Sequence, residues 1–414
     1  MSPSQKVCHL CTYPIGGAAT AMYRISRSVN GFVESHTMTR DKCKPFSSDS
    51  TMWQRLWRAL YYRWNRINPQ AQSNAFGVRT FSSALSPLTG RHMDLLNEYD
   101  ILHLHWISNF INLPAFMRRF GGTKPIVWTL HDMNPLLGGA HYRQDSKQIA
   151  STLGNGLELG NARRNDLDNK AYLIKKHAFD ALTPNAMHIV CPSKWLTEEA
   201  AKSNSLGKFP ICTIKNPVDT SIFKPLDRKA ARSVFGIDSD CVVLLFIAMS
   251  LDDKYKGGQV MLEALKQFPL KKLVLLSVGK AELPVNGAGI DIRSLGFVAN
   301  ERMLSIAYSA ADAFILPSLD ENLPSTMLES LACGTPVIGS DVGGIPDLVV
   351  HGKTGMLFQP GDATELAQRI RTFLDFSDEQ RTEMGEICRQ SIEEHCGPDK
   401  IGKQYAELYG SLLK

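Results

Sequence analysis

Short β-rich runs recur between longer helical stretches along the whole chain, and this alternation constrains the fold more than any other feature. The runs are Lys6–Thr12, Ile101–Trp106, Ile126–Asp132, His188–Ser193, Val242–Met249, Leu273–Val278, Ala313–Pro317 and Val337–Ser340. Strand-helix alternation of this kind builds parallel sheets covered by helices. The segments ValValLeuLeuPheIle and LeuValLeuLeu carry no polar alternate, as strands buried on both faces must. The expected class is α/β, with doubly wound domains.

At 414 residues the chain exceeds what one hydrophobic core usually supports, so two domains are expected. Gly, Pro and Asn punctuate the stretch from Gly207 to Pro225, which places the hinge near residue 215. That divides the chain into 1–214, 215–398 and a last helical segment, 399–414. This segment has Ile401, Tyr405, Leu408 and Leu412 on one face and is free to pack on either lobe, the first included. Two stretches of the first lobe, 42–91 and 138–169, are rich in Ser, Asn, Gly and Arg and read as irregular insertions.

Charge and cysteine usage exclude several classes. Lys and Arg total 46 against 41 Asp and Glu, too small an excess to imply a nucleic-acid partner. The longest apolar run, Cys241–Met249, is far shorter than the roughly 20 residues that span a bilayer. The N-terminal residues lack a basic region followed by an apolar stretch, so the expectation is a cytoplasmic protein. Nine scattered cysteines fit a reducing compartment. Cys8 and Cys11 form a CxxC inside the first strand, where a redox pair would open a helix instead.

Leu316–Ile345 joins a strand end, a polar loop, a helix and a second strand. Glu321 falls on the loop; if the helix starts near Ser325, Glu329 lies about one turn in, so both carboxylates can face a ligand at the strand's carboxyl end. The amides from Ser325 to Met327, with the positive helix end, suit phosphate oxygens. Taken alone, the two glutamates would read as a solvated loop acid and an acid balancing the helix dipole.

The surrounding pattern decides otherwise. The segment resembles the family 4 retaining glycosyltransferases of the GT-B fold, marked by Glu-x7-Glu followed here by AlaCysGlyThrProValIle. The resemblance continues through Gly343-Gly344-Ile345-Pro346-Asp347, His351-Gly352-Lys353-Thr354-Gly355, Ser294–Val298, Cys191-Pro192-Ser193 and Asn216-Pro217-Val218-Asp219. It implies two Rossmann-like domains facing a central cleft, with the donor held by the second. It also implies Glu321 on the donor sugar's hydroxyls, Glu329 on the ribose, and the backbone near Val298 at the base. The loop and helix start, Asn322, Leu323, Ser325, Thr326 and Met327, complete the donor-binding set.

Lys256-Gly257-Gly258 follows a strand and places an ammonium beside the expected diphosphate, which makes Lys256 the candidate leaving-group stabiliser. The family's Arg five residues earlier is Leu251 here. Lys254 either supplies that charge or is an exposed turn lysine. Gly16 and Gly17, after the first strand, either admit a ligand or serve close packing. His131 ends the strand IVWTLHD, and the family's equivalent His contacts the donor sugar. Relatives with the TLHDMNP…GGxHY pattern often carry clustered cysteines after it, which are missing here.

Other features read more plainly. His103 and His105 share a strand face with no third metal ligand evident, and are taken as structural or supporting. Asp238-Ser239-Asp240 precedes a strand at its amino end and reads as a turn, so no essential metal is expected. Trp53–Ile67 is amphipathic, with four arginines and no acid. It either lies on an anionic membrane surface, as a peripheral contact on the inner face, or packs on the first domain.

The resemblance implies a hexosyltransferase that uses a UDP- or GDP-linked sugar and retains configuration at a glycan or lipid-linked acceptor, in polysaccharide or glycoconjugate biosynthesis. The alternative is a catalytically silent relative that docks on membranes. A dinucleotide oxidoreductase would need GxGxxG after the first strand, and Gly16-Gly17-Ala18 lacks that spacing.

Overall fold

The computed structural model describes residues 5–40, 80–86, 93–152, 158–161, 166–267, 273–280, 283 and 291–413, with the backbone alone at 148–152. Trp53–Ile67 lies outside them. The chain divides into unit 1, Met1–Ile214 with Gly402–Lys414, and unit 2, Lys215–Ile401.

Unit 1 holds a six-stranded parallel sheet in the order β2-β1-β3-β4-β5-β6. Its strands are β1 Lys6–Cys11, β2 Glu34–Thr39, β3 Ile101–Leu104, β4 Ile126–Thr129, β5 Met187–Cys191 and β6 Ile211–Thr213. The chain runs outward from β1 to β2, then returns to the other side of β1 at β3. The β1/β3 junction is therefore a topological switch point, where loops at the carboxyl ends diverge and leave a crevice. β3 and β4 are buried at every position, as strands covered on both faces are.

Unit 2 repeats the plan with the order β12-β11-β10-β7-β8-β9. Here β7 is Val242–Ser250, β8 Leu273–Lys280, β9 Asp291–Ser294, β10 Ala313–Leu316, β11 Val337–Ser340 and β12 Gly355–Phe358. Its switch point falls between β7 and β10. The apolar runs of β7 and β8 form the centre of one core with Tyr308, Phe314, Met327 and Phe373.

Two expectations change. The stretch 138–169 is not irregular throughout, because a helix spans Arg143–Thr152 and Gly138–His141 is buried. In the last helix, Pro398–Leu412, the inward face is Ile401, Tyr405 and Tyr409 rather than Leu408 and Leu412, which stay partly exposed. The tyrosines turn inward because their hydroxyls find buried partners, Tyr405 with Thr129 at 3.0 Å and Tyr409 with His103 at 2.7 Å. Among the described residues, no helix is long and apolar enough to cross a membrane.

Candidate functional site

In unit 2 the switch point is built from two loops. After β7 the chain makes a short 3₁₀ turn, Lys254–Lys256, whose start is capped by the Asp253 carboxylate accepting from the Tyr255 amide at 3.1 Å. Gly257 then takes a left-handed conformation, φ +69°, and a Cβ there would lie 1.8 Å from the Pro317 carbonyl oxygen. Only glycine lets the β7 loop approach the end of β10 this closely. The amide of Leu319 donates to the Tyr255 carbonyl at 2.8 Å and ties the two loops together.

This approach brings Lys256 Nζ onto Glu321 Oε2 as an ion pair. Both side chains keep some exposure, 23% and 15%, so the pair faces outward from a rigid base. The rest of the Glu321 loop is fixed from behind. Asn322 gives its carbonyl to the Gly344 amide at 2.9 Å, and the Asn216 side chain reaches the Leu323 carbonyl. Those contacts explain why the Asn216-Pro217 and Gly343-Gly344 motifs accompany the two glutamates.

The helix Ser325–Ala332 starts at Pro324 with no side-chain cap. The amides of Met327 and Leu328 both bond the Pro324 carbonyl, at 3.1 and 3.4 Å. The amides of Ser325 and Thr326 lie at the positive end of the helix. The side chains of Met327 and Leu323 are buried in the unit 2 core, so any contact of theirs with a donor is through the backbone. Glu329 is buried at 5% exposure and accepts from the Tyr308 hydroxyl at 3.1 Å, a partner not foreseen from sequence.

Leu251, the position for which the family resemblance implied an Arg, packs into the core at 2% exposure. Lys254 is exposed, with its ammonium 4.9 Å from the Tyr255 ring centre. Val298 is partly buried against the core beside Phe297, which is 48% exposed. Asp238 and Asp240 lie at the amino end of β7, in the turn expected for them.

Unit 1 has its own pocket at its switch point, about 300 Å³ in volume, lined by Tyr13, Gly16, Gly17, Trp106, His131 and His141 among others. Gly16 caps the helix Gly17–Val29 at φ +103° without a side-chain cap. A Cβ on either glycine would meet nothing within 4 Å, so close packing is not what this pair serves. Tyr13 and His141 flank the Trp106 ring with centroids 5.4 and 5.3 Å away. The Asp132 carboxylate accepts from Trp106 Nε1 at 2.8 Å, His141 Nδ1 at 2.6 Å and the Asn134 amide at 2.9 Å. Burial pushes its pKa up, but His141 and these donors outweigh burial and hold it below the usual value.

A polar network holds the loop that follows His131. Asn134 Nδ2 donates to the carbonyls of Gly139 and Ala140, and Asp168 accepts the amides of Gly139 and Ala140. Lys175, buried, donates to the carbonyls of Asn134 and Gly138. Burial lowers its pKa to about 7 against the pull of Asp168 and Asp132.

Beneath the pocket lies a row of histidines. His9 Nδ1 and His105 Nε2 are 3.0 Å apart, as are His105 Nδ1 and His131 Nε2. His103 bridges Tyr409 and Thr129, both at 2.7 Å. His9 therefore joins His103 and His105 in a buried trio, the third histidine that sequence spacing did not reveal. The nitrogens of His103 and His105 have protein partners.

Comparison with known proteins settles the family. The family described as Glycosyltransferase Family 4 matches residues 15–222, and Glycosyl transferases group 1 matches residues 241–375. The chain belongs to glycosyltransferase family 4. The N-acetyl-alpha-D-glucosaminyl L-malate synthase of Bacillus anthracis is 28% identical over 86% of this chain and 88% of that protein. The D-inositol 3-phosphate glycosyltransferase of Thermobispora bispora is 32% identical over 68% of this chain and 64% of its own length. Among solved structures, Anabaena HepE in complex with UDP superposes with a TM-score of 0.66 at 19% identity, covering 98% of this chain and 100% of that one. The fold is GT-B, and this family 4 chain is a glycosyltransferase.

Proposed function

We propose that this glycosyltransferase is a retaining hexosyltransferase that takes its sugar from a UDP- or GDP-linked donor and passes it to a glycan or lipid-linked acceptor. The observation that carries the reading is the Lys256–Glu321 pair at the unit 2 switch point, beside an uncapped helix start. Departure of a nucleoside diphosphate builds negative charge on the bridging oxygen. An ammonium about 4 Å from that charge contributes roughly 4 kcal/mol at an effective dielectric of 20, before desolvation. The attraction grows as the bond breaks, so it lowers the barrier rather than only tightening binding.

In this reading Lys256 and the Ser325 and Thr326 amides receive the diphosphate, and Glu321 accepts from sugar hydroxyls. Glu329 takes the ribose, and the backbone at Val298 takes the base. Lys256 and the helix end supply the positive charge without an essential metal. In unit 1, Gly16 and Gly17 admit the ligand backbone closely, and His131 bonds a sugar hydroxyl. The test is hydrolysis and transfer from a panel of UDP- and GDP-sugars, with thermal shift as the binding readout. L-malate and inositol 3-phosphate, named by the relatives, join lipid-linked glycans as trial acceptors. Unchanged rates in excess chelator support the metal-free reading, and loss of activity restored by a divalent ion rejects it.

A second reading is favoured by Leu251: with the family's Arg replaced by a core residue, the site holds one cation fewer, as a silent binding protein would. Binding of UDP-sugars or liposomes without any turnover would establish that reading, and donor hydrolysis by the pure protein excludes it.

A further inference from the structure

The cation that the proposed function gives to the diphosphate is already held by a carboxylate. Lys256 Nζ forms an ion pair with Glu321 Oε2, and the Asn322 amide donates to Glu321 Oε1 at 3.3 Å. Both carboxylate oxygens are anchored, and the Gly344 amide on the Asn322 carbonyl at 2.9 Å keeps the loop that carries them in place. An ammonium has three N–H donors, so a phosphate oxygen can bond Lys256 without displacing Glu321. Two acceptors on one nitrogen lie about 4.5 Å apart at ordinary hydrogen-bond lengths. The phosphate then meets a charge of its own sign at that distance.

Donor and product differ in how they offset this repulsion. In a nucleotide sugar both phosphates are esterified on two sides, and the sugar hydroxyls donate to Glu321. During transfer the acceptor oxygen bonds the anomeric carbon as the bond from that carbon to the bridging oxygen breaks. The electron pair stays on the bridging oxygen, and the acceptor's proton passes to water. The released diphosphate ends in a phosphate whose second pKa is about 6, so near pH 7 it carries about one further negative charge. It also has no sugar hydroxyl left for Glu321.

We propose that Glu321 sets the preference of the unit 2 site for the intact donor over the released nucleoside diphosphate, holding the sugar before transfer and driving the diphosphate off after it. This inference rests on the proposed function, in which Lys256 receives the diphosphate, and its test separates the two. Calorimetric titration of the full chain compares UDP with UDP-glucose and GDP with GDP-mannose, in the wild type, Glu321→Gln and Lys256→Ala. Glu321→Gln keeps the shape of the side chain and removes its charge. It should bind the free diphosphate about tenfold tighter and gain less for the sugar nucleotide, which loses the carboxylate from its hydroxyls. Glu321→Ala should tighten the diphosphate in the same direction, which covers a Gln variant that does not fold. A folded variant that binds the diphosphate no tighter than the wild type, or tightens both ligands equally, overturns the proposal. Lys256→Ala should weaken both ligands about tenfold or more. If Lys256→Ala leaves both unchanged, the phosphates do not meet Lys256 and the proposed function fails as well; if it weakens them while Glu321→Gln tightens nothing, only the product-release role fails.

Discussion

The two units place their candidate site residues at the same topological position by opposite electrostatic means. Unit 2 presents an ion pair: Lys256 and Glu321 sit on loops with part of each side chain in water. Unit 1 presents neutral rings: His105 and His131 follow a buried strand end, and desolvation keeps them uncharged. In the proposed function, charge suits the leaving diphosphate. In the same proposal, a neutral imidazole suits the recognition of hydroxyls. The difference teaches that a shared sheet topology supplies a location only, and that burial decides which protonation states are usable there.

Acid should separate the units first. His9, His103 and His105 are neutral in the fold, with pKa values below the unfolded value of 6.5. Between those values the unfolded chain binds more protons, so stability is full above pH 6.5 and is lost as pH falls below it. The ceiling is about 1.4 kcal/mol per pH unit for each ring. All six tryptophans belong to unit 1, whereas the two histidines of unit 2, His351 and His395, are exposed. Tryptophan-detected melting should therefore drop steeply from pH 6.5 to 4.5. A flat profile would break the contrast.

Replacing Lys256 or Glu321 by Ala should lower turnover about a hundredfold or more while shifting stability by about 1 kcal/mol or less. Wild-type rates in both variants would remove unit 2 from the chemistry. Gly257→Ala should cost about 1–3 kcal/mol, from its left-handed backbone and the clash with Pro317, and should weaken nucleotide binding in a thermal-shift titration. The smallest effect belongs to Gly17→Ala, which has open space around it and should change stability by about 0.5 kcal/mol or less. A large loss of folding there would show that Gly17 serves packing after all, whereas weaker ligand binding in a stable variant would sharpen its assignment to the pocket.

The unit 2 site was more legible because its parts are close in sequence. Glu321, the Ser325 helix and Glu329 fall within one loop and helix, so a local pattern exposes them together. The unit 1 site is assembled from β1, β3, β4 and the last helix, which puts His9, His105, His131 and Tyr409 far apart along the chain. No spacing rule connects them, and Cys8 and Cys11 drew more notice on β1 than His9 did. Met327 belongs to the same local pattern: its amide bonds the Pro324 carbonyl and its side chain completes the core.

By itself the sequence determined the alternation of strand and helix, and with it the parallel sheets, because an apolar strand without polar alternates has to be covered on both faces. It also determined the cation and carboxylates of unit 2, whose residue types carry their charge wherever they are exposed. Tertiary structure alone decided which residues touch and which protons they keep. Strand order brings His9 beside His103 and Lys256 beside Glu321, and only burial converts a histidine from a titrating group into a neutral ring.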